Sequence, residues 1–356
     1  MVFITIQHFF FGRSSMMKNK ALGFYEGRSL DESNVFIEKE IPIPNCQAND
    51  LLVEVQAVSV NPIDTKRRQM TALSEAFQIQ GYDAVGIVKE IGSAVNGFAV
   101  GDRVFYAGTT QRPGANQRFQ TVDSRITAKA PAGFSDGDLA AMPLTSITAW
   151  ELLFEKFGYV PEENANDGSI LLVNASGGVG SIAAQLAKWA GLTVYGTASP
   201  KNDQWLKNNQ VDQVLNHRLP LAEQITEPFS AVAIFYDASA YLPQLTKAIL
   251  PFGKVGMIVN TKEALDLNPF KNLGIDFYWE YMFAKTDAQL MIETQGSILQ
   301  RIASLLADKK IHTTAVQTFD GGITIETLKL ATKAVEQGTK GKTVITLSLI
   351  HISELT

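Results

Sequence analysis

This sequence of 356 residues has little cysteine, no long apolar run and no concentration of basic charge. Its single cysteine, Cys46, excludes a disulfide within the chain and favours a reducing compartment, so we predict a cytoplasmic protein. No apolar stretch approaches the roughly 18–20 residues that span a bilayer, and we therefore expect no membrane association. The formal net charge is -5, and without a basic run nucleic acid is not an expected partner.

The two ends of the chain differ from the sequence between them. Residues 1–17 open with the apolar, aromatic stretch MVFITIQHFFF, and their first basic residue, Arg13, comes after it. A secretory signal has basic residues before the apolar stretch and small residues at a cleavage site. We therefore favour an N-terminal extension that precedes a natural start at Met16 or Met17 over a signal peptide, and we interpret residues 348–356 as a similar appendage.

The rest of the chain divides into a β-rich part and an alternating part. Residues 18–127 contain strand-like segments such as 51–60 and 84–92, which alternate or run apolar over strand lengths. Residues 139–158 have helical spacing of apolar residues, and from Ser169 strands alternate with helices, as in a parallel, doubly wound sheet. After these comes one long predicted helix, over residues 287–307, and then a β-rich end, GKTVITL, that we expect to return to the first domain.

A glycine-rich segment, NASGGVG at residues 174–180, follows a predicted strand and opens a predicted helix. Gly177 allows the backbone to approach a pyrophosphate, Gly180 permits close helix–strand packing, and the helix N-terminus offers free N–H groups. Ala175 stands where this motif usually has its first glycine. An ordinary glycine-rich turn is the alternative to a dinucleotide site. The residues that we predict to bind a dinucleotide here are Ala175, Ser176, Gly177, Gly178, Val179 and Gly180.

The segment after the next predicted strand, GTASPKN, distinguishes between dinucleotides. An NAD site needs an acid there, and the first acid is Asp203. Ser199 and Lys201 instead offer a hydroxyl and an ammonium, which suit a 2′-phosphate. His217 and Arg218, after the third strand, are placed to close over the same phosphate. The sequence therefore predicts NADPH, and the alternative for Lys201 is a solvated helix residue.

Four motifs, in this order, resemble the medium-chain dehydrogenase/reductase superfamily: NPIDTKRR (61–68), GYDAVGIVKEIGSAVNGFAVGDRVF (81–105), PLTSITAWELL (143–153) and NASGGVG. They are most similar to the quinone oxidoreductases and the zinc-type alcohol dehydrogenase-like proteins. The resemblance implies an α/β fold in which a GroES-like, β-rich catalytic domain joins a doubly wound Rossmann domain with a parallel sheet. We place the catalytic domain at residues 18–140 and 285–356 and the Rossmann NADP-binding domain at residues 141–284.

The sequence departs from the zinc-dependent members of this superfamily at their metal ligands. Those members use a cysteine in the segment matching SVNPID and a His–Glu pair matching GYD, where this chain has Asn61, Tyr82 and Asp83. The four-cysteine segment of their structural zinc site has no counterpart. Because catalytic zinc needs about three protein ligands around an open position, we expect no zinc. The histidines, none of which is placed to complete a site with Cys46, are His8, His217, His312 and His351.

The chemistry expected without zinc is hydride transfer from NADPH to an electron-poor acceptor, a quinone or an α,β-unsaturated carbonyl. The resemblance places Asn61, Asp64 and Lys66 around the nicotinamide. Asn61 would hydrogen-bond the acceptor oxygen, and an Asp64–Lys66 pair would organise the ribose or relay a proton, unless it is a surface ion pair. Tyr82 is either a donor to the developing oxyanion or a core residue.

Three further residues are assigned to the cofactor by their context. Thr148, in PLTSITAW, is expected to face the cofactor, with helix capping as its alternative role. Asp237 and Asn260 end predicted strands at the carboxyl edge of the sheet, where ligands bind. We therefore predict an NADPH-dependent oxidoreductase that reduces a small-molecule electron acceptor and, by family analogy, forms a homodimer. The alternatives are a zinc-type alcohol dehydrogenase and a non-catalytic NADPH-binding protein.

Overall fold

The computed structural model describes residues 18–347, so the interpretations of residues 1–17 and 348–356 lie outside the described part of the chain. The first region is β-rich and contains one short helix. Its elements are β1 (Asn19–Gly23), β2 (Ile37–Ile41), β3 (Asp50–Val60), α1 (Pro62–Met70), β4 (Asp83–Ile91), β5 (Arg103–Tyr106), β6 (Phe119–Asp123) and β7 (Thr127–Lys129). The connecting helices are α2 (Asp136–Ala140), α3 (Pro143–Trp150) and a π-helical turn (Glu151–Lys156).

The second region alternates strands with helices, and the chain then returns to the first. The alternating elements are β8 (Ser169–Val173), α4 (Gly178–Trp189), β9 (Thr193–Ala198), α5 (Asp203–Asn208), β10 (Gln213–Asn216), β11 (Phe229–Ile234), α6 (Leu242–Leu245), β12 (Ile249–Met257) and β13 (Asp276–Trp279). The returning elements are α7 (Ala284–Ala288), α8 (Glu293–Ala307), β14 (Ala315–Asp320), α9 (Ile325–Glu336) and β15 (Lys342–Thr346). Among the described residues, no helix is long and apolar enough to cross a membrane.

Two large sheets organise these elements. Six strands, in the order β10-β9-β8-β11-β12-β13, form a wholly parallel sheet. Seven strands form the other sheet, in which β14 and β15 pair with each other in parallel and β15 pairs antiparallel with β3. The C-terminal part of the described chain therefore completes the sheet that the N-terminal part begins. The predicted α/β fold, with a GroES-like domain and a parallel-sheet Rossmann domain, is confirmed.

The packing of α4 shows why the glycine segment opens a helix. Ile182, Ala183 and Leu186 are fully buried against the parallel sheet. The helix ends at Trp189, and Gly191, two residues further on, has a φ of +103° that no longer permits right-handed helix. Burial of this apolar face fixes the start of α4, and with it the position of the glycine segment.

The largest apolar core joins the two sheets rather than filling one of them. It includes Val85 from β4, Ile147 from α3 and Leu172 from β8, and it extends to Ile182 and Phe283. Because these side chains pack together, the β-rich region and the parallel sheet hold a fixed relative position around α3. That position brings the carboxyl edge of the parallel sheet close to α1 and β4.

One predicted helix, over residues 287–307, ends where expected but is not continuous. Instead of a single helix over residues 287–307, the structure has α7 and α8, separated by a break in which Gln289 and Met291 have φ values of 54° and 51°. Left-handed backbone cannot continue a right-handed helix, so α7 ends at Ala288 and α8 begins at Glu293.

The helix α1 lies in a region where the sequence predicts strands. Pro62 at its first position supplies a helical φ without needing a hydrogen-bond partner. The backbone N–H of Asn61 donates to Asp64 Oδ2 at 2.8 Å, which is half of a capping box. This cap places Asn61 and Asp64 at the N-terminal end of α1, facing the interior.

Candidate active site

The glycine turn between β8 and α4 is closed by backbone contacts. Asn174 has a φ of 64°, and the N–H of Gly177 donates to Asn174 O at 3.2 Å. A Cβ at Gly180 would lie 2.5 Å from Asn174 O and 2.6 Å from Ala175 Cα, so only glycine fits there. The turn thus leaves the first N–H groups of α4, from Gly178 onward, directed out of the carboxyl edge of the sheet, as an anion site requires.

Ala175 fits this turn because a glycine faces it. Its N–H donates to Thr197 O at 3.0 Å, which ties the turn to β9. A Cβ at Gly196 would come within 2.7 Å of Ala175 Cβ. The missing side chain on β9 makes room for the methyl group that stands at the motif's usual first glycine.

The residues predicted to hold a 2′-phosphate follow neighbouring strands. The backbone N–H of His217 donates to Ala198 O at 3.1 Å, which places the ends of β10 and β9 together. Ser199 begins a 3₁₀ turn without capping it through its side chain, and Lys201 is exposed within that turn. His217 and its neighbour Arg218 are exposed as well. The structure therefore brings these polar and cationic groups to one edge of the sheet.

The other three residues assigned to the cofactor, Thr148, Asp237 and Asn260, are less well placed to bind it. The Thr148 hydroxyl donates to Leu144 O at 2.8 Å inside α3, a bond to the preceding helical turn and not the capping role considered above. Asp237 accepts from Ser239 N at 3.0 Å and from its hydroxyl at 2.6 Å, and these bonds hold the pKa of Asp237 below its usual range. Asn260 is exposed and lies three residues beyond the end of β12, at Met257.

A buried network centres on Asp83, at the start of β4. Asp83 Oδ2 accepts from Ser59 Oγ at 2.6 Å, from Asn61 Nδ2 at 2.9 Å and from Lys342 Nζ at 2.9 Å. Asp83 Oδ1 accepts from the backbone N–H of Leu144 at 2.7 Å, near the N-terminus of α3. The Asp83 side chain is fully buried and that of Lys342 is 3% exposed, so this is an ion pair away from solvent.

Lys342 joins this network to the glycine turn. The N–H of its neighbour Gly341 donates to Ser176 O at 2.8 Å. A Cβ at Gly178 would lie 2.9 Å from Lys342 Cδ, so the lysine stem runs beside the first residue of α4. The Lys342 ammonium also donates to Asn61 Oδ1. One side chain therefore contacts both the predicted cofactor turn and the predicted acceptor pocket.

The predicted Asp64–Lys66 pair is wrong. Asp64 is buried and accepts from the Asn61 N–H, whereas Lys66 is exposed on α1, and no ion pair within 4.0 Å joins them in the described structure. The capping contact turns Asp64 inward, away from Lys66. Burial raises the pKa of Asp64 to about 7, and the nearby negative charge of Asp83 adds to the increase.

Tyr82 lies with its ring against Phe283, with the ring centroids 4.7 Å apart, and its side chain is buried. Burial raises the pKa of the Tyr82 phenol above its usual range, so the group stays neutral and retains its proton. The ring packing agrees with a core role, and the retained O–H keeps the donor role open.

Ser59 and Lys342 were not predicted as site residues, and Asp83 was predicted only to replace a metal ligand. Lys342 carried one local signal, a charged residue that opens the predicted strand TVITL directly after a glycine. Its partners Asp83 and Asn61 are 259 and 281 residues away in the chain, and no spacing pattern links them.

Comparison with known proteins agrees with this architecture. Residues 47–142 match the alcohol dehydrogenase GroES-like domain family. Together with the relatives below, this match shows that the chain belongs to the medium-chain dehydrogenase/reductase superfamily of oxidoreductases, as predicted. Within it, the chain is 38% identical over 335 residues to a zinc-type alcohol dehydrogenase-like protein of Staphylococcus aureus (strain COL), covering 92% of this chain and 100% of that one. It is 28% identical to the chloroplastic quinone-oxidoreductase homolog of Spinacia oleracea, covering 77% and 83% of the two chains.

Solved structures show the same fold. A Rhizobium etli CFN 42 protein provisionally assigned as a zinc-dependent alcohol dehydrogenase superposes with a TM-score of 0.86 at 34% identity, covering 93% of this chain and 98% of that one. The Escherichia coli quinone oxidoreductase, solved as a complex with NADPH, gives a TM-score of 0.75 at 22% identity, covering 92% and 99%. At 22% identity, the similarity to the Escherichia coli protein shows a shared fold only.

Proposed function

We propose that this chain transfers hydride from NADPH to a quinone or an α,β-unsaturated carbonyl without a metal. The Asp83–Lys342 ion pair is the observation that carries the proposal. The segments that supply zinc ligands in other members hold Asn61, Tyr82 and an Asp83 carboxylate that already accepts four hydrogen bonds, one from an ammonium. These groups do not suit zinc, which needs free thiolate, imidazole or carboxylate donors.

The chain's residues fit a dinucleotide. The N–H groups that begin α4 would bind the pyrophosphate, and the glycine turn leaves the space that a Cβ would fill. Ser199, Lys201, His217 and Arg218 would bind the 2′-phosphate, with no acid among them. When bound, the cofactor supplies the hydride. The NADPH complex of the Escherichia coli protein supports this choice of cofactor by analogy of fold.

The pocket's contribution is to orient the acceptor and stabilise its developing negative charge. Asn61 would donate to the acceptor oxygen through its side-chain amide, and Tyr82, which stays protonated, is the second candidate donor. A saturated alcohol must lose a proton as it loses hydride, and none of these groups is a base strong enough to take it readily. A quinone or an enone needs no such base, which favours reduction of those acceptors.

The test is to follow NADPH oxidation with small quinones and enones, beside NADP⁺ reduction with ethanol and benzyl alcohol. We expect turnover with the first group and little with the alcohols. Asn61→Ala and Tyr82→Phe should slow enone reduction more than quinone reduction, because loss of one oxyanion donor commonly costs about 10²–10³ in rate. Alcohol oxidation with stoichiometric, EDTA-sensitive zinc would establish the zinc-type alternative, and tight NADPH binding without turnover would establish the non-catalytic one.

The assembly and location of the protein belong to the same proposal. We expect a homodimer, by analogy with the superfamily, in the cytoplasm. Light scattering on the purified protein tests the first expectation, and fractionation of the source cells tests the second.

A further inference from the structure

The carboxamide of Asn61 lies between two opposite charges. Its Oδ1 accepts from the Lys342 ammonium, and its Nδ2 donates to Asp83 at 2.9 Å. All three side chains are at most 3% exposed, so water does not screen these contacts. Turning the carboxamide over would set its N–H groups against the ammonium and its oxygen against the carboxylate. The ion pair therefore selects one of the two amide orientations.

The orientation matters because an amide nitrogen carries two N–H groups. One Nδ2–H of Asn61 donates to Asp83, and the direction of the second is then fixed by the plane of the amide. An acceptor oxygen bound in this pocket receives a hydrogen bond from Asn61 only when Nδ2, and not Oδ1, faces it. Asp83 alone would favour the same orientation, but without Lys342 it would be an uncompensated buried charge.

We propose that Lys342 is a positioning residue, which acts through Asn61 by fixing its carboxamide with the N–H side toward the acceptor. The proposal rests on the proposed function, in which Asn61 is the acceptor's donor. The Lys342 stem also runs beside Gly178, so the same side chain contacts both Asn61 and the predicted cofactor turn. A residue with only a structural role would stabilise the fold without affecting the choice of acceptor.

The experiment separates these roles with a charge-neutral pair of substitutions. Lys342→Met leaves Asp83 buried without its counterion and is expected to lower stability strongly. Adding Asp83→Asn to Lys342→Met removes both charges, and this double variant should recover much of the stability lost by Lys342→Met. Thermal unfolding, the Kd for NADPH, and kcat and KM with one enone and one quinone are then measured for each protein.

The double variant should lose as much enone kcat as Asn61→Ala does, about 10²–10³-fold, while kcat for the quinone falls less. Adding Asn61→Ala to the double variant should cause no further loss, because both changes remove the same donor. The matched control is Lys285→Met. This lysine is also largely buried, 3.0 Å from Glu151 and 2.7 Å from Glu155, and its loss should lower stability without changing the enone-to-quinone ratio.

Recovery of wild-type enone kcat in the double variant would overturn the proposal, as would an independent further loss from Asn61→Ala. A rise of more than about tenfold in the NADPH Kd, with kcat unchanged, would also overturn it, because Lys342 would then act as a direct cofactor ligand.

Failure of the proposed function is distinguishable, since wild type would then reduce neither acceptor. In that case the inference is tested by the side-chain amide signals of Asn61 in ¹⁵N-labelled protein, identified by their absence in Asn61→Ala. We expect these signals to be shifted from ordinary amide positions in wild type and to return toward them in the double variant. Identical signals in the two proteins would overturn the inference.

Discussion

The glycine turn and the network around Asp83 are in contact with each other, yet different groups hold them together. The turn is seven consecutive residues, NASGGVG, closed by backbone hydrogen bonds and by a close approach at Gly180. The network consists mainly of side chains from distant segments, Ser59, Asn61, Asp83 and Lys342, and it places two charges in the interior. The turn is therefore sensitive to added atoms, and the network is sensitive to lost charge.

The largest effect is expected where a charge is removed from the network. Asp83→Asn leaves the Lys342 ammonium buried without a counterion, and the free energy of unfolding should fall by about 3–5 kcal/mol. Urea denaturation measures the change. The control is Glu40→Gln, in the exposed pair with Lys18, where solvent screens the charges and no measurable change is expected. Equal losses in the two variants would mean that burial does not strengthen the Asp83 pair.

A pH-dependent effect is expected at Asp64, a buried acid that accepts from the backbone N–H of Asn61 beside the network. Its usual pKa is 3.8 and its folded pKa is about 7, so between these values the folded protein keeps a proton that the unfolded chain releases. The contribution of Asp64 to the wild-type free energy of unfolding therefore falls as pH rises from about 4 to 7. Above 7 this contribution changes no further. Asp64→Asn removes this loss and can still accept from the Asn61 N–H. The advantage of the variant should grow to roughly 2–4 kcal/mol at neutral pH.

The control is Asp102, whose pKa is shifted in the opposite direction from that of Asp64. A hydrogen bond from Lys129 holds the pKa of Asp102 below its usual value, so Asp102 contributes stability above its unfolded pKa that is lost as pH falls. Asp102→Asn should therefore be slightly less stable than wild type at neutral pH. If the difference between Asp64→Asn and wild type stayed constant from pH 4 to 8, a raised pKa at Asp64 would be ruled out.

The turn should respond to a single added methyl group. Gly180→Ala places Cβ 2.5 Å from a backbone oxygen that cannot move freely, and the expected cost is about 1–3 kcal/mol with loss of NADPH binding. Gly97→Ala is the comparison, because a Cβ there meets no atom within 4 Å and only its φ of +82° is unfavourable. Calorimetric unfolding and NADPH titration of both variants measure the difference, and equal NADPH affinity in the two would contradict a role for close approach at the turn.

The smallest effect is expected at the exposed edge of the cofactor site. Lys201→Ala should weaken NADPH binding by about 1.5 kcal/mol, the low end for a charge-assisted hydrogen bond, because the ammonium is open to solvent. NADH binding should hardly change. Lys207→Ala, at another exposed lysine on α5, should leave both affinities unchanged. Wild-type protein that binds NADH as tightly as NADPH would remove the basis for the prediction.

The contrast between the two sites also explains how much the sequence could predict. The turn, its flanking strand and helix and the polar groups after β9 are local, so hydrophobic periodicity and glycine spacing predicted them. The superfamily and the fold followed from the order of four motifs. Asn61 and Tyr82 were selected by resemblance, and the structure places both in the interior near Asp83.

What the sequence could not predict depends on tertiary contacts. The Asp64–Lys66 pair fails because a helix cap that neither residue reveals alone turns Asp64 inward. Lys342 is unremarkable as one charged residue at a strand end, and only the pairing of β15 with β3 brings it to Asp83. The break between α7 and α8 depends on left-handed backbone at Gln289 and Met291, residue types that give no such signal.

The pairing of β15 with β3 also sets an order of events during synthesis. Lys342 leaves the ribosome 259 residues after Asp83, whereas β8 through β13 have all emerged before it. The parallel sheet has every one of its strands while the nascent β-rich region still holds an acid without its counterion. The parallel-sheet region can therefore fold during translation, and the network around Asp83 acquires its charge balance only when β15, the last described strand, is added.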